Sequence, residues 1–181
     1  MSAAFKEWAV VCEALGNGQQ SVIIRKGGIA EGRAGFAFRH EEFLLFPTWF
    51  HEQLERTTLS PDTPIPSPAD DDELTIQYAV TVEWSRLVTD LDQIAKLREF
   101  HVLHDSEVEA RFHYDEPKGV HVAFVRVFRL EPTIRLKNEK KYGGCRSWLD
   151  LPETEGIAFV SVLSDEEHTR RRELLKELLN L

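Results

Sequence analysis

The chain has 181 residues, with 22 Lys and Arg against 31 Asp and Glu, a formal net charge of −9. That balance excludes a uniformly basic nucleic-acid coat protein, whose affinity comes from phosphate neutralisation over its whole surface. Two cysteines, Cys12 and Cys145, are too few for a disulfide framework, and no apolar run approaches the roughly 18 residues of a membrane span. With no charged-then-apolar leader, the expectation is a cytoplasmic single domain over 1–181, with neither cofactor nor metal and no membrane contact.

Residues 3–15 read as a helix, because Phe5, Trp8, Ala9, Cys12 and Leu15 fall on one stripe at helical spacing. Gly16 and Gly18 supply its stop. Gln20 to Lys26 reads as a strand, rich in β-branched residues, and leads into a glycine-rich loop over Gly27–Gly35. Phe43 to Phe46 is a short buried strand that Pro47 ends. Thr48 then caps a short helix over Trp49–Leu54, with His51 and Gln53 on or beside it. Residues 57–73 hold Pro61, Pro64, Pro66, Pro68 and the acids Asp70 to Glu73, and read as a long surface loop within one domain.

The clearest strand is Leu74–Trp84, where Ile76, Tyr78, Val80, Val82 and Trp84 alternate with wetter residues. Leu91–Phe100 reads as a helix, and Ser106 with Glu109 matches a capping box starting a second one through Phe112. Val120–Leu130 is apolar on both faces at its centre, which predicts a strand covered on both sides. Further strands are expected through Thr133–Leu136 and Ile157–Leu163, and apolar structure resumes at Trp148–Leu151. Ser164 with Glu167 matches a second capping box, opening a final helix with an apolar stripe of Leu174, Leu175, Leu178 and Leu179. The fold class is α+β: a mainly antiparallel sheet or small barrel with an N-terminal helix, short internal helices and a C-terminal helix.

Two basic, glycine-broken loops carry the functional reading. In the first, Arg25, Lys26, Gly27 and Gly28 follow a strand; paired glycines expose successive N–H groups, and the two cations add charge for an anion. In the second, Lys140, Lys141 and Arg146 surround Tyr142, Gly143, Gly144 and Cys145 and run into Trp148, a composition that suits phosphate contact and base stacking. The expected binding residues are Arg25, Lys26, Gly27, Gly28, Lys140, Lys141, Arg146 and Trp148. The expected partner is DNA or RNA.

The competing reading is an enzyme, a metal-dependent nuclease or another hydrolase, with Glu31, His51 and Cys145 as its candidate catalytic residues. Glu116-Pro117-Lys118 and Glu139-Lys140-Lys141 have the E-x-K spacing used by metal-dependent nucleases, though this composition produces such triplets by chance. His101-x-x-His104 with His113 and His121 superficially resembles a metal cluster but lacks the cysteine pairs of a structural zinc site. Arg170, Arg171 and Arg172 scatter around the terminal helix and read as a solvated face. A third reading is a protein–protein adaptor working through the acidic surface and that helix.

Arg25-Lys26-Gly27-Gly28-Ile29 with Glu31, Phe46-Pro47-Thr48 with His51, and Gly144-Cys145 with Ser147-Trp148 together resemble an uncharacterised bacterial family, domain-of-unknown-function family eighteen-oh-two, from about Phe5 to Leu179. The family defines no activity and no catalytic residue. The resemblance implies a DNA-linked setting, because some members are similar in carrying a restriction-endonuclease-like domain. A restriction-type nuclease would then be the partner and this chain the accessory part.

Overall fold

The computed structural model describes residues 1–26, 36–65 and 72–181. Seven strands form one curled sheet: β1 Ala3–Trp8, β2 Val22–Arg25, β3 Glu42–Thr48, β4 Glu73–Val88, β5 Val120–Lys137, β6 Trp148–Asp150 and β7 Ala158–Ser161. The strand order is β2-β5-β4-β3-β1-β6, with β7 added beside β5. Among the described residues four α-helices accompany it: α1 Ala9–Gly16, α2 Leu91–Ala95, α3 Asp105–His113 and α4 Asp165–Leu179. The fold is α+β, as expected, but the sheet is mixed: β1 lies parallel to β3, while the other pairings among the described residues are antiparallel.

The first expected helix is the main correction. Ala3–Trp8 is a strand held between β3 and β6, and the helix begins only at Ala9. The helical stripe was real from Ala9 onward, where Cys12 and Leu15 are buried; Phe5 is buried too, but on a strand. Long-range pairing here overrides local spacing. α1 has no side-chain cap of its own. Its first turn is served from afar by Gln53, whose Oε1 accepts the Val10 N–H at 3.0 Å.

Other boundaries move for similar reasons. β3 runs through Pro47 to Thr48, because β4 pairing stops at Leu44 and the missing N–H of Pro47 interrupts no bond on that side. Thr48 caps no helix; its hydroxyl donates to the Glu7 carbonyl, and turns follow. Val120–Leu130 and Thr133–Leu136 are one strand rather than two. A bulge absorbs the break: one residue of β4, Gln77 between Ile76 and Tyr78, faces four of β5, Leu130 to Thr133 between Arg129 and Ile134, with Pro132 in the excess. The 91–100 helix divides into α2 and a 3-10 turn at Arg98–Phe100. The cap of α3 is His104, which accepts from Ser106 N–H, so Ser106 lies inside the helix. Ser164 does cap α4 as expected, accepting the Glu167 N–H at 3.2 Å.

The sheet carries an apolar cluster on each face. The larger one gathers Phe5, Leu15, Ile23, Phe43 and Phe124 from the strands and α1 with Ile94, Val108, Leu175 and Leu179 from the helices. The smaller one lies on the other face, around Leu44, Phe46, Ile76, Ile134, Tyr142 and Leu149. Arg171 fastens α4 to the frame through the Gly18 carbonyl at 2.8 Å and the Ser21 hydroxyl at 2.7 Å. His168 of the same helix stacks on Phe124 with ring centroids 4.8 Å apart. No helix among the described residues is long and apolar enough to cross a membrane.

Candidate functional site

β2 and β6 are the two ends of the sheet path, and curling brings them toward each other. No ladder joins them; side chains do. Arg25, the last residue of β2, donates from Nη2 to the Ser147 hydroxyl at 3.4 Å, and its guanidinium sits 5.5 Å from the Phe5 ring centroid on β1. Sequence left open whether the two basic loops were neighbours. Arg25 and the loop preceding β6 meet at this seam.

Lys6, next to Phe5 on β1, turns its side chain to the other face, where its ammonium lies 5.8 Å over the Phe46 ring and the residue is 8% exposed. Its backbone N–H donates to the Ser147 carbonyl at 2.8 Å, and its Nζ donates to the Gly144 carbonyl at 2.9 Å. Burial pushes the Lys6 ammonium below the usual lysine range; the nearby Arg146 pushes the same way, and Cys145 opposes them. Arg146 is exposed and donates to the Lys141 carbonyl, which folds the loop back on itself. Lys141 is exposed, paired with Glu139 at 2.7 Å, and Lys140 beside it is exposed as well. Lys26 turns the other way and donates to the carbonyls of Asp115 and Pro117, at 2.8 and 2.6 Å.

Trp148 does not offer a ring to solvent. It is 9% exposed, packed against Phe5 and Phe43 at 5.0 Å each, with Nε1 donating to the Ala37 carbonyl. Tyr142 is 4% exposed and packs on Phe46. Both rings hold the basic loop in place, which corrects the expectation that either stacks on a base. Gly27, Gly28 and Glu31 lie outside the described residues.

The enzyme constellation gains no convergence from the described residues. His51 is 92% exposed in the turn after β3, with Glu52 3.6 Å away, and Cys145 is exposed in the loop before β6. Glu116 and Lys118 share a turn, where the Lys118 N–H donates to the Glu116 carboxylate, and Glu139 and Lys141 sit at a 3-10 turn. His101 is buried and its Nδ1 accepts the Leu103 N–H, whereas His104 is an exposed cap. Among the described residues no group of three or more His, Cys, Asp and Glu is placed to hold a metal ion.

Sequence reasoning missed a second set of residues beside the seam. Arg111 of α3 donates to the Ile24 carbonyl at 2.6 Å, next to Arg25, and lies 4.5 Å over the Trp8 ring. Trp8 meets Phe50 edge-on at 5.0 Å, and Arg56 lies 5.8 Å over Phe50. Helical spacing puts Trp8 on the buried stripe of a helix, whereas it ends strand β1. The parallel pairing that sets Trp8 beside Thr48 is a long-range fact with no local signature.

No curated protein matches the chain. The chain is similar to the crystal structures of ASCH from Zymomonas mobilis and of two single-residue variants of it, at 9%, 10% and 10% identity and a TM-score of 0.46 each. The match covers 95% of this chain and 94%, 94% and 96% of those chains. The sequence model of the family described as "Domain of unknown function (DUF1802)" matches residues 4–174. The resemblance read from the scattered motifs therefore holds, and the chain belongs to this family of unknown function.

Proposed function

We propose that the protein is a non-catalytic nucleic-acid-binding module acting as one domain over 1–181, with phosphate contacts along the seam where the two ends of the sheet meet. The observation that carries this is the Arg25–Ser147 hydrogen bond, which joins two basic segments 122 residues apart. Arg25 is thereby set beside Ser147, the residue after the exposed Arg146, on a protein whose net charge is −9. A local basic strip on an acidic chain favours one bound path for a polyanion over a general coating. Lys140 and Lys141 extend the strip, Lys26 flanks it, and Gly27 and Gly28 follow directly in sequence. Trp148 supports the loop from within. A cytoplasmic setting goes with this reading.

The test is fluorescence anisotropy with labelled DNA and RNA, on wild type and on Arg25→Gln and Lys141→Glu proteins that retain the wild-type melting temperature. Each variant is expected to weaken binding. Binding unchanged in both would remove the site assignment, and no binding by wild type at low salt would remove the function. A stable protein partner with no nucleic-acid affinity would instead favour the adaptor reading, including a restriction-type nuclease as that partner. Activity lost on substituting Glu31, His51 or Cys145 alone would favour the hydrolase reading.

A further inference from the structure

The row Arg111–Trp8–Phe50–Arg56 begins where the basic seam ends, one residue from Arg25. Parallel pairing of β1 and β3 builds it: Trp8 stands opposite Thr48, and the chain leaving β3 brings Phe50 against the Trp8 ring. Both rings are partly exposed. Each carries a guanidinium near its face, and those guanidinium groups are held by acids. Glu107, itself buried, pairs with Arg111 at 2.8 Å and with Arg56 at 3.3 Å, and Glu52 pairs with Arg56 at 3.0 Å.

Two arginines against two glutamates give the row no formal net charge. It is therefore poorly suited to collecting phosphates. What it presents is two partly exposed rings, Trp8 and Phe50, and the Arg56 guanidinium, whose side chain is 47% exposed; Arg111, with its side chain only 10% exposed, backs the Trp8 ring and fixes it. Bases stack on such planes when their faces are free. In a duplex they are covered by neighbouring pairs.

We infer that the preferred ligand is single-stranded nucleic acid, its phosphates along the Arg25–Arg146 seam and its bases stacked on Trp8, Phe50 and Arg56, the exposed members of the Arg111–Trp8–Phe50–Arg56 row. The inference rests on the seam being a phosphate path and adds the strand type and the stacking residues. It separates two contributions. The seam sets the salt dependence, and the uncharged row sets the preference for single strands over duplex.

The experiment compares a labelled single-stranded oligonucleotide of about 10 nucleotides with a duplex of the same sequence, over a salt series, using wild type, Phe50→Leu and Trp8→Leu. Leucine keeps apolar packing and removes the aromatic plane, and melting curves verify that each variant folds. Phe50→Leu alone, outside the strands, keeps the test valid should Trp8→Leu fail to fold. The expected result is a loss of about 5- to 100-fold for single strands, with the log-salt slope and the duplex affinity unchanged. Equal loss for both strand types, or no loss in folded variants, overturns the inference while leaving the seam intact. A wild-type protein that binds neither form overturns seam and row together.

Discussion

Burial of His101 makes stability depend on pH in a window that can be worked out. The ring is 6% exposed, and burial, with Arg111 adding to it, lowers its pKa from 6.5 to about 4. Nδ1 accepts the Leu103 N–H, a bond the neutral ring makes and the doubly protonated ring cannot. Above pH 6.5 the ring is neutral in both folded and unfolded chains and contributes nothing to the pH dependence. Between 6.5 and 4 the unfolded chain binds the proton and the folded one does not, so stability falls as pH falls. At about 1.36 kcal/mol per unit, the loss from pH 7.5 to pH 5 is about 2 kcal/mol, approaching 3 kcal/mol near pH 4. Urea unfolding of wild type and His101→Asn at both pH values isolates the effect, because asparagine keeps an acceptor for Leu103 N–H but does not titrate. The variant should lose about 2 kcal/mol less than wild type between pH 7.5 and 5. Its remaining loss includes His121, whose pKa is also lowered, by burial and then by Lys26. Parallel pH dependences in the two proteins would refute the reasoning.

Three further outcomes follow from named contacts. Gly16→Ala should destabilise by about 1–3 kcal/mol despite the better helix propensity of alanine; its Cβ would meet the Tyr78 ring at 2.1 Å, and that ring is buried and tied to Glu13 at 3.0 Å. A higher urea midpoint in this variant would contradict the packing seen there. Ser164→Ala removes the cap that accepts Glu167 N–H and should cost about 1 kcal/mol, or about 2–4 °C in melting temperature; an unshifted melt would mean that the cap contributes nothing. In the native protein a thiol reagent should modify Cys145, which is exposed, and spare Cys12, which is 3% exposed with its thiol pKa pushed up by burial. Modification of Cys12 at the same rate without denaturant would contradict its place in the core.

What could be read in the sequence was local. The alternation in β4, the doubly apolar centre of β5 and the Ser164 cap each leave a signature within a few residues, and each appears at its expected place. What could not be read depends on partners far along the chain. Phe5 and Trp8 sit at helical spacing from Cys12 and Leu15, yet they belong to a strand fixed by β3 and β6. Gln53 looked like a neighbour of His51 on a surface turn, and it serves instead to satisfy the first turn of α1. The two basic loops were visible as compositions, but their meeting through Arg25 and Ser147 follows from the curl of the whole sheet. Trp148 follows the second basic loop directly in sequence, and only the packing shows that it opens β6 with its ring facing the core. The Arg111–Trp8–Phe50–Arg56 row combines α3, β1 and the turns after β3, so no window of sequence contains it.

The most direct test of the account is the salt dependence of single-strand binding in wild type, Arg25→Gln and Arg146→Gln. For a seam that contacts phosphates, log affinity should fall linearly with log salt, and removing either arginine should make the slope shallower by about 0.7, the increment for one phosphate on a single strand. Slopes that stay equal across the three proteins, or affinity independent of salt, would contradict a phosphate path along the seam.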